Sequence, residues 1–594
     1  MPLILPGGRA LQLQPGFVDQ RRGAQRGPGA DAKPLAPGHA AQIAIEQVHQ
    51  GAQVRIVGRR SFDGGHRGFG HHARKSSNAG LSGFSAVSCS CSSSLNPRSL
   101  SMRRFRPALI VFPLALLLAA QAHATTFMVT NTADTGAGSL RQALINASSD
   151  PATPHAIWFD ASFPQGGVIE LQTALPAWSN SALTIDGRGR APVLDGRNAV
   201  RILTVAAGAV QVTLRELSFR RGRSTSGTGG CVWHSSTVAD TSLYVYDSHF
   251  ESCRAVGNQI NANGGAISWV APGAWVFIRD STFSGNVGGV IGNSSRKVMS
   301  GGAVHVSAHR IEITGSRFSA NVLERVGGVV QGLGGAVYAS ATLSTQLRDV
   351  EFRSNRVIDA DASGVFSAGG AAALLCLENS CSNNIDRSGF IDNTISGDDV
   401  GGGALATQGG TLDLLNASFS SNRAIGNSSF GGAMILLTAS AAGASHLSFK
   451  DNGAAFGAHL AMSGVDVTRW VWSLHGPVAA GAGAACELDG IQLTGFSMAN
   501  LFESACAALS ASGGSIGPVG PLALDETVFP ATLAPGSGSA AIDPPGSQAW
   551  CASVDARGLA RPQDGDDDGS TRCDVGAYEV PPAKLFADGF DGVP

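Results

Sequence analysis

Six times between Gly264 and Asn452 this chain repeats one phrase, which joins an aromatic-to-amide step to a pair of glycines, and nothing else in the sequence limits its fold so tightly. The steps are Phe283/Asn286, Phe318/Asn321, Phe352/Asn355, Phe390/Asn393, Phe419/Asn422 and Phe449/Asn452. The glycine pairs are Gly264-Gly265, Gly301-Gly302, Gly334-Gly335, Gly369-Gly370, Gly402-Gly403 and Gly431-Gly432, each followed by Ala. The phrase returns with a period inside the range that marks an array of stacked units. Two degenerate members, Phe219 and Phe250, extend it to eight coils over residues 200–480.

Spacing inside the repeat separates two halves. The step from the second glycine to the next Phe is nearly the same at the start of the array, Gly265 to Phe283, and at its end, Gly432 to Phe449. The step from Asn to the next glycine pair is not, being far longer from Asn286 to Gly301 than from Asn422 to Gly431. One half is held in register and the other is free, so the free half is expected to project as variable edge loops. Segments such as Trp275-Val276-Phe277-Ile278 and Ile311-Glu312-Ile313 are short and β-prone. Parallel coils about 4.8 Å apart would stack Phe on Phe and Asn on Asn. Stacked rings fill an interior, and stacked amides satisfy polar groups whose burial would otherwise be costly. The glycines suit positive φ or close coil approach. These demands define an all-β parallel β-helix, and they make each repeated Phe and Asn structural.

The remaining chain falls into flanking parts. Residues 102–124, MRRFRPALIVFPLALLLAAQAHA, have the basic start, apolar run and small-residue end of a secretory signal peptide, with cleavage expected after Ala124. The apolar run is too short to span a membrane, so the mature chain is expected to carry no transmembrane span. Residues 1–101 read as an over-extended start or a disordered basic segment. Residues 125–199 read as an N-terminal cap and first coils: strands near Thr126 to Thr130, Ala156 to Phe159, Val168 to Leu171 and Leu183 to Ile185, with Asp186-Gly187 and Asp195-Gly196 as turns. Within that part a short capping helix begins at Ser139. Ser139 and Gln142 have capping-box spacing, and Leu140, Ala143, Leu144 and Ala147 share one face. Residues 481–525 are last coils or connector, 526–580 a small disulfide-containing C-terminal module, and 581–594 a tail.

Eight cysteines beyond residue 124 fall into sequence-adjacent pairs, Cys231/Cys253, Cys376/Cys381, Cys486/Cys506 and Cys551/Cys573. An even count in an exported chain favours disulfides, although sequence alone leaves their connectivity open. Residues 125–594 carry a net charge of about −13, against −2 for the whole chain, which argues against nucleic acid as a partner.

Two acidic clusters are candidate sites. Asp359, Asp361, Asp398 and Asp399 lie at matching offsets in neighbouring edge segments with Arg356 close by, and could supply a carboxylate pair for glycoside cleavage or bind calcium. Asp564, Asp566 and Asp568 in Asp-Gly-Asp-Asp-Asp-Gly match the first half of a calcium loop. Position twelve of that loop is Val575, leaving Glu579 as a substitute acid. There is no Ser/His/Asp set, zinc-type histidine spacing or phosphate loop. His305 and His459 are expected at the surface or as satisfied interior groups.

The repeats resemble those of the chlamydial polymorphic outer membrane protein family and of bacterial right-handed parallel β-helix repeat proteins. The stretches Ser539-Ala540-Ala541-Ile542-Asp543, Asp555-Ala556-Arg557-Gly558, Arg561-Pro562 and Cys573-Asp574-Val575-Gly576-Ala577-Tyr578-Glu579 resemble the module of choice-of-anchor Q proteins. The resemblance implies a right-handed helix on the outer surface of a Gram-negative bacterium, or secreted from it. Too few residues follow the repeats for an autotransporter barrel. Tail residues 585–590, Leu-Phe-Ala-Asp-Gly-Phe, resemble short tails of other exported proteins. Two functions are expected of such a chain. The first is non-catalytic adhesion, with edge loops contacting an extracellular glycan or protein. The alternative is a polysaccharide lyase or glycoside hydrolase acting on such a glycan.

Overall fold

The structure is a computed structural model. It describes residues 125–582 except 151–153, 238–239, 258–260, 292–296, 327–329, 359–365, 440, 504–505, 507–508, 510–514 and 547. Residues 102–124, expected as a signal peptide, Cys89, Cys91 and the tail at 585–590 lie outside the described residues. These residues form a parallel β-solenoid of about 11 turns. Among them no helix is long and apolar enough to cross a membrane.

One continuous sheet of parallel strands makes the rod, with like residues in register. Phe219, Phe250, Phe283, Phe318, Phe352, Phe390, Phe419 and Phe449 form an unbroken column, each ring 4.7–5.1 Å from the next and within 14° of parallel. The column outruns the sequence repeat. Ile169 and Leu194 occupy the rungs before Phe219, and His475 and Phe502 those after Phe449. Coils therefore begin within residues 125–199 and continue past residue 480.

Beside the rings runs an amide column. Each Asn from Asn286 to Asn422 donates from Nδ2 to Oδ1 of the next Asn at 2.9–3.0 Å and to the carbonyl of a Phe one coil back. Each Oδ1 also accepts the backbone N–H of the preceding rung's column residue. All six amides are fully buried, yet both of their polar atoms are satisfied. Cys253 starts the column where the others carry Asn, and it is bonded to Cys231.

The variable half of the repeat differs from the expected loops. After each Asn from Asn286 to Asn422 the chain leaves the rod as one strand and comes back as another. The outgoing strands, from Arg223–Ser224 to Arg423–Ile425, stack into a seven-stranded parallel sheet, and the returning strands, from Asn261–Asn263 to Ser428–Phe430, into a six-stranded one. The returning sheet packs one face on the rod, through Leu333, Phe366, Ala368 and Phe430 against Tyr338, Ala373, Ala406 and Ile435. Its other face packs on the outgoing sheet, through Met299 and Val400 against Leu323, Val357 and Ile395. The free half is thus a two-layered wing of paired parallel strands.

The glycine pair is the neck of that wing. Gly334 has φ +71°, and a Cβ on Gly335 would run into the carbonyl of Gly370 and lie 2.8 Å from the Arg356 backbone. The returning chain passes between the next coil and the outgoing strand, where no side chain fits.

At the N-terminal end Thr125–Val129 adds the first parallel strand. The helix Leu140–Ser149 buries the four expected residues against the rod, with Ser139 Oγ accepting from Gln142 N at 3.2 Å. The reciprocal half of the capping box does not form, because Gln142 Nε2 donates to Asn146 and Ser139 N to Gly136 O. Asp195, expected in a turn, is fully buried and held by Arg220 and Arg221 from the following coil.

At the other end the chain folds back along the rod. The hairpin Leu522–Asp525/Thr532–Pro535 and the residues after it lie over coils 351–472. Ala531 N donates to Glu351 Oε2 (3.1 Å), Leu533 N to Ser418 Oγ (3.2 Å), Ala577 N to Ser448 Oγ (2.8 Å) and Gly576 N to Trp472 O (2.8 Å). The outward residue before each ring reads Thr282, Arg317, Glu351, Gly389, Ser418, Ser448. It becomes small where this strap passes, a signal that sequence reading missed.

Candidate functional site

The four disulfides are the sequence-adjacent pairs, Cys231–Cys253, Cys376–Cys381, Cys486–Cys506 and Cys551–Cys573. Groups combining His446 with Cys551 and Cys573, or His475 with Cys486 and Cys506, therefore offer no thiolate to a metal.

Of the wing acids, Asp359 and Asp361 lie outside the described residues. Asp399 opens a returning strand and is buried, with Asp398 just before it. Arg356 is exposed on the outgoing sheet, on the other layer of the wing. Wing layering thus puts Arg356 and Asp399 on different sheets. The solvent face of the outgoing sheet instead carries a column of unlike residues, Gly289, Glu324, Ile358, Ser396 and Ile425, of which Ile358 is 40% and Ile425 53% exposed.

The C-terminal module gathers nearly every motif residue into one network. Arg561, fully buried, pairs with Glu579 Oε2 at 2.9 Å and donates to the carbonyls of Asp574 and Gly576. Asp574 accepts from Asp543 N and Val580 N; Asp555 accepts from Leu559 N and Glu579 N and pairs with Arg557. Burial, reinforced by the Glu579 charge, pushes the Asp574 carboxyl up to about 7, and burial also raises Glu579 despite Arg561.

The acidic loop is attached to this network through Asp543, whose carboxylate accepts the N–H groups of Gly565, Asp566 and Arg572. Asp543, Asp564 and Asp566 bring carboxylate oxygens within 4.8 Å of one another. Asp564 Oδ1 is buried without a hydrogen-bond partner. Three hard oxygen donors, one otherwise unsatisfied, fit a divalent cation such as calcium. Asp568 is not one of the three, because its carboxylate pairs with Arg572 at 3.2 Å. Glu579 is committed to Arg561 and does not substitute for the twelfth loop position. Sequence reading missed Asp543, which lies well ahead of the loop in the chain.

The histidines singled out are interior groups. His305 stacks on Tyr338 at 4.8 Å and bonds Ser300; burial drives it down to about 3. His459 ends the amide column, meeting Asn452 at 3.3 Å and the Gly476 carbonyl at 2.9 Å, and burial lowers it to about 4. Comparison with protein-family models, curated proteins and solved structures finds no match for this chain.

Proposed function

We propose that this is an exported β-solenoid protein of a Gram-negative bacterial surface that binds an extracellular glycan or protein through its wing, without catalysis. The observation that carries the reading is the contrast on each rung. The rod repeats one ring and one amide, while the wing's solvent face varies from rung to rung and exposes Ile358 and Ile425. Exposed aliphatic groups on a sheet of changing chemistry suit recognition rather than folding. Support for export comes from the signal-like segment at 102–124 and four disulfides. The resemblance to polymorphic outer membrane protein repeats and to the choice-of-anchor Q module points the same way. The acidic loop adds a calcium site at Asp543, Asp564 and Asp566 that would tighten the module. The hydrolytic alternative draws no support from the wing, because among the described residues Arg356 and Asp399 lie on different layers and Asp399 is buried.

The test applies the purified chain to arrays of neutral and acidic glycans and to intact cells, with and without calcium. On at least one glycan or cell surface that retains the wild-type chain, the Ile358→Asp/Ile425→Asp variant should lose at least tenfold in retention with an unchanged melting temperature. Undiminished retention on every one of them, or release of shortened oligosaccharides by the wild-type chain, would overturn the reading.

A further inference from the structure

The second strand of each coil, beyond the wing, has its outer face open. Along one outward column the residues read Thr184, Thr213, Tyr244, Phe277, Glu312, Gln346, Asn384, Asp413. Six of these eight are polar, as a solvated sheet face should be. The two aromatic residues fall on adjacent rungs. Their rings stack at 5.3 Å, within 7° of parallel. On the same rungs Tyr246 lies 6.4 Å from Tyr244, and Trp275 lies 6.0 Å from Phe277 with 46% of its surface exposed. Four rings thus make one patch on an otherwise polar face.

Fold stability does not require this patch, since neighbouring rungs use threonine, glutamine and asparagine at the same positions. Its border carries both signs of charge. Arg215 lies over Tyr246 at 5.1 Å, and Glu312, one rung past Phe277, meets Arg279 of the preceding rung at 3.6 Å and Arg310 of its own strand at 3.4 Å. Asp247 and Asp280 follow Tyr246 and Arg279 directly in the chain. The Asp240 carboxylate lies against Gly273, two residues before Trp275, so groups of both signs stand around the patch. No hydrogen bond within the described residues engages either tyrosine hydroxyl.

We propose that Tyr244, Tyr246, Trp275 and Phe277 form a platform that binds a neutral oligosaccharide, a site separate from the wing. The C–H face of a pyranose ring is weakly apolar and lies flat on aromatic faces. Its rim of hydroxyls both donates and accepts, so it needs guanidinium and carboxylate neighbours together. A border of mixed charge suits a ligand without net charge, and its carboxylates give a polyanion no advantage.

The experiment titrates the purified full chain, by calorimetry, with hexasaccharides of glucose, xylose and mannose, using hexagalacturonate as the charged control. At least one neutral hexasaccharide should bind. Trp275→Ala should weaken it tenfold or more without changing the melting temperature, and Trp275→Phe should restore most of the affinity. The wing variant Ile358→Asp/Ile425→Asp should bind as wild type, so failure of the wing reading leaves this result untouched. The proposal is overturned if no neutral hexasaccharide binds, if hexagalacturonate alone binds, if Trp275→Ala binds normally, or if the wing variant loses the oligosaccharide.

Discussion

The rod and the C-terminal module bury polar groups by opposite strategies. In the rod, one residue type is repeated so that each amide satisfies the next, and uncharged Asn serves at every level from Asn286 to Asn452. In the module each polar residue is used once, and charges are buried against one another: Arg561 with Glu579, Arg557 with Asp555. Repetition distributes a requirement over many equivalent sites, whereas the network concentrates it in a few residues that cannot be exchanged. Each strategy carries its own mode of failure.

The wing neck should be the most damaging place to alter. Gly335→Ala places a Cβ against the Gly370 carbonyl, and relief requires two rungs to part. We expect a loss above about 4 kcal/mol, seen as failure to fold or a steep fall in denaturant midpoint. Gly558→Ala in the module, at φ +83° with open space around it, should cost only about 1–2 kcal/mol. Equal costs would refute the claim that the glycine pair is set by coil approach. Next in size is Phe352→Ala, at about 3–5 kcal/mol for a fully buried ring in mid-column. Asn355→Ala follows at about 3 kcal/mol, because it strands Asn321 N and the Phe318 carbonyl.

The two regions should also respond to pH in opposite directions. His459 is held near 4 in the folded rod against 6.5 when free, so the unfolded chain binds more protons between those values. Rod stability is then complete above about pH 6.5 and falls as pH drops toward 4, by roughly 3 kcal/mol for this group. His446 and His475, which burial holds well below the ordinary imidazole value, act in the same sense. Asp574 is the reverse case. Raised to about 7, it stabilises the module fully below its ordinary value of 3.8, and that contribution is lost as pH rises through 7. Hydrogen exchange followed from pH 4 to 8 should show protection rising in the coils around Asn452 and falling around residues 574–580. Parallel profiles would contradict the comparison.

How much of this was legible in the sequence follows from the same contrast. The rod was readable because a stacked column writes the same letter at each turn; the nearly constant spacing from glycine to Phe follows the path length around the coil. The wing was not, because its sheets stack unlike residues such as Gly289, Glu324 and Ile358, and its strands vary in length. Varied spacing between Asn and glycine looked like loop freedom when it was wing size. In the module, motif residues could be listed, but the link from Asp543 to Asp564 and Asp566 has no periodicity to reveal it. Calcium at a hundredfold excess over its dissociation constant should add about 2.7 kcal/mol to the module, and Asp564→Asn should remove the calorimetric shift. The same shift in Asp564→Asn would place the ion elsewhere.

Weakest of all should be the most exposed of the contacts that hold the strap to the rod. Glu526 reaches Arg353 at 2.6 Å, but its side chain is 59% exposed, so water competes with the pair. Glu526→Gln should therefore shift stability by no more than about 0.5 kcal/mol. Glu351 lies on the same patch of the rod and differs in one respect, since it is 2% exposed. Its Oε2 accepts Ala531 N while Oε1 faces Arg317 and Arg353. Replacing that carboxylate leaves two arginines with a weaker partner beneath the hairpin. Glu351→Gln should cost about 2 kcal/mol and raise exchange at residues 531–533 while leaving the Asn column protected. If Glu526→Gln proves the more damaging change, the strap is fastened by its exposed rim and not by the seat that small rod residues make for it.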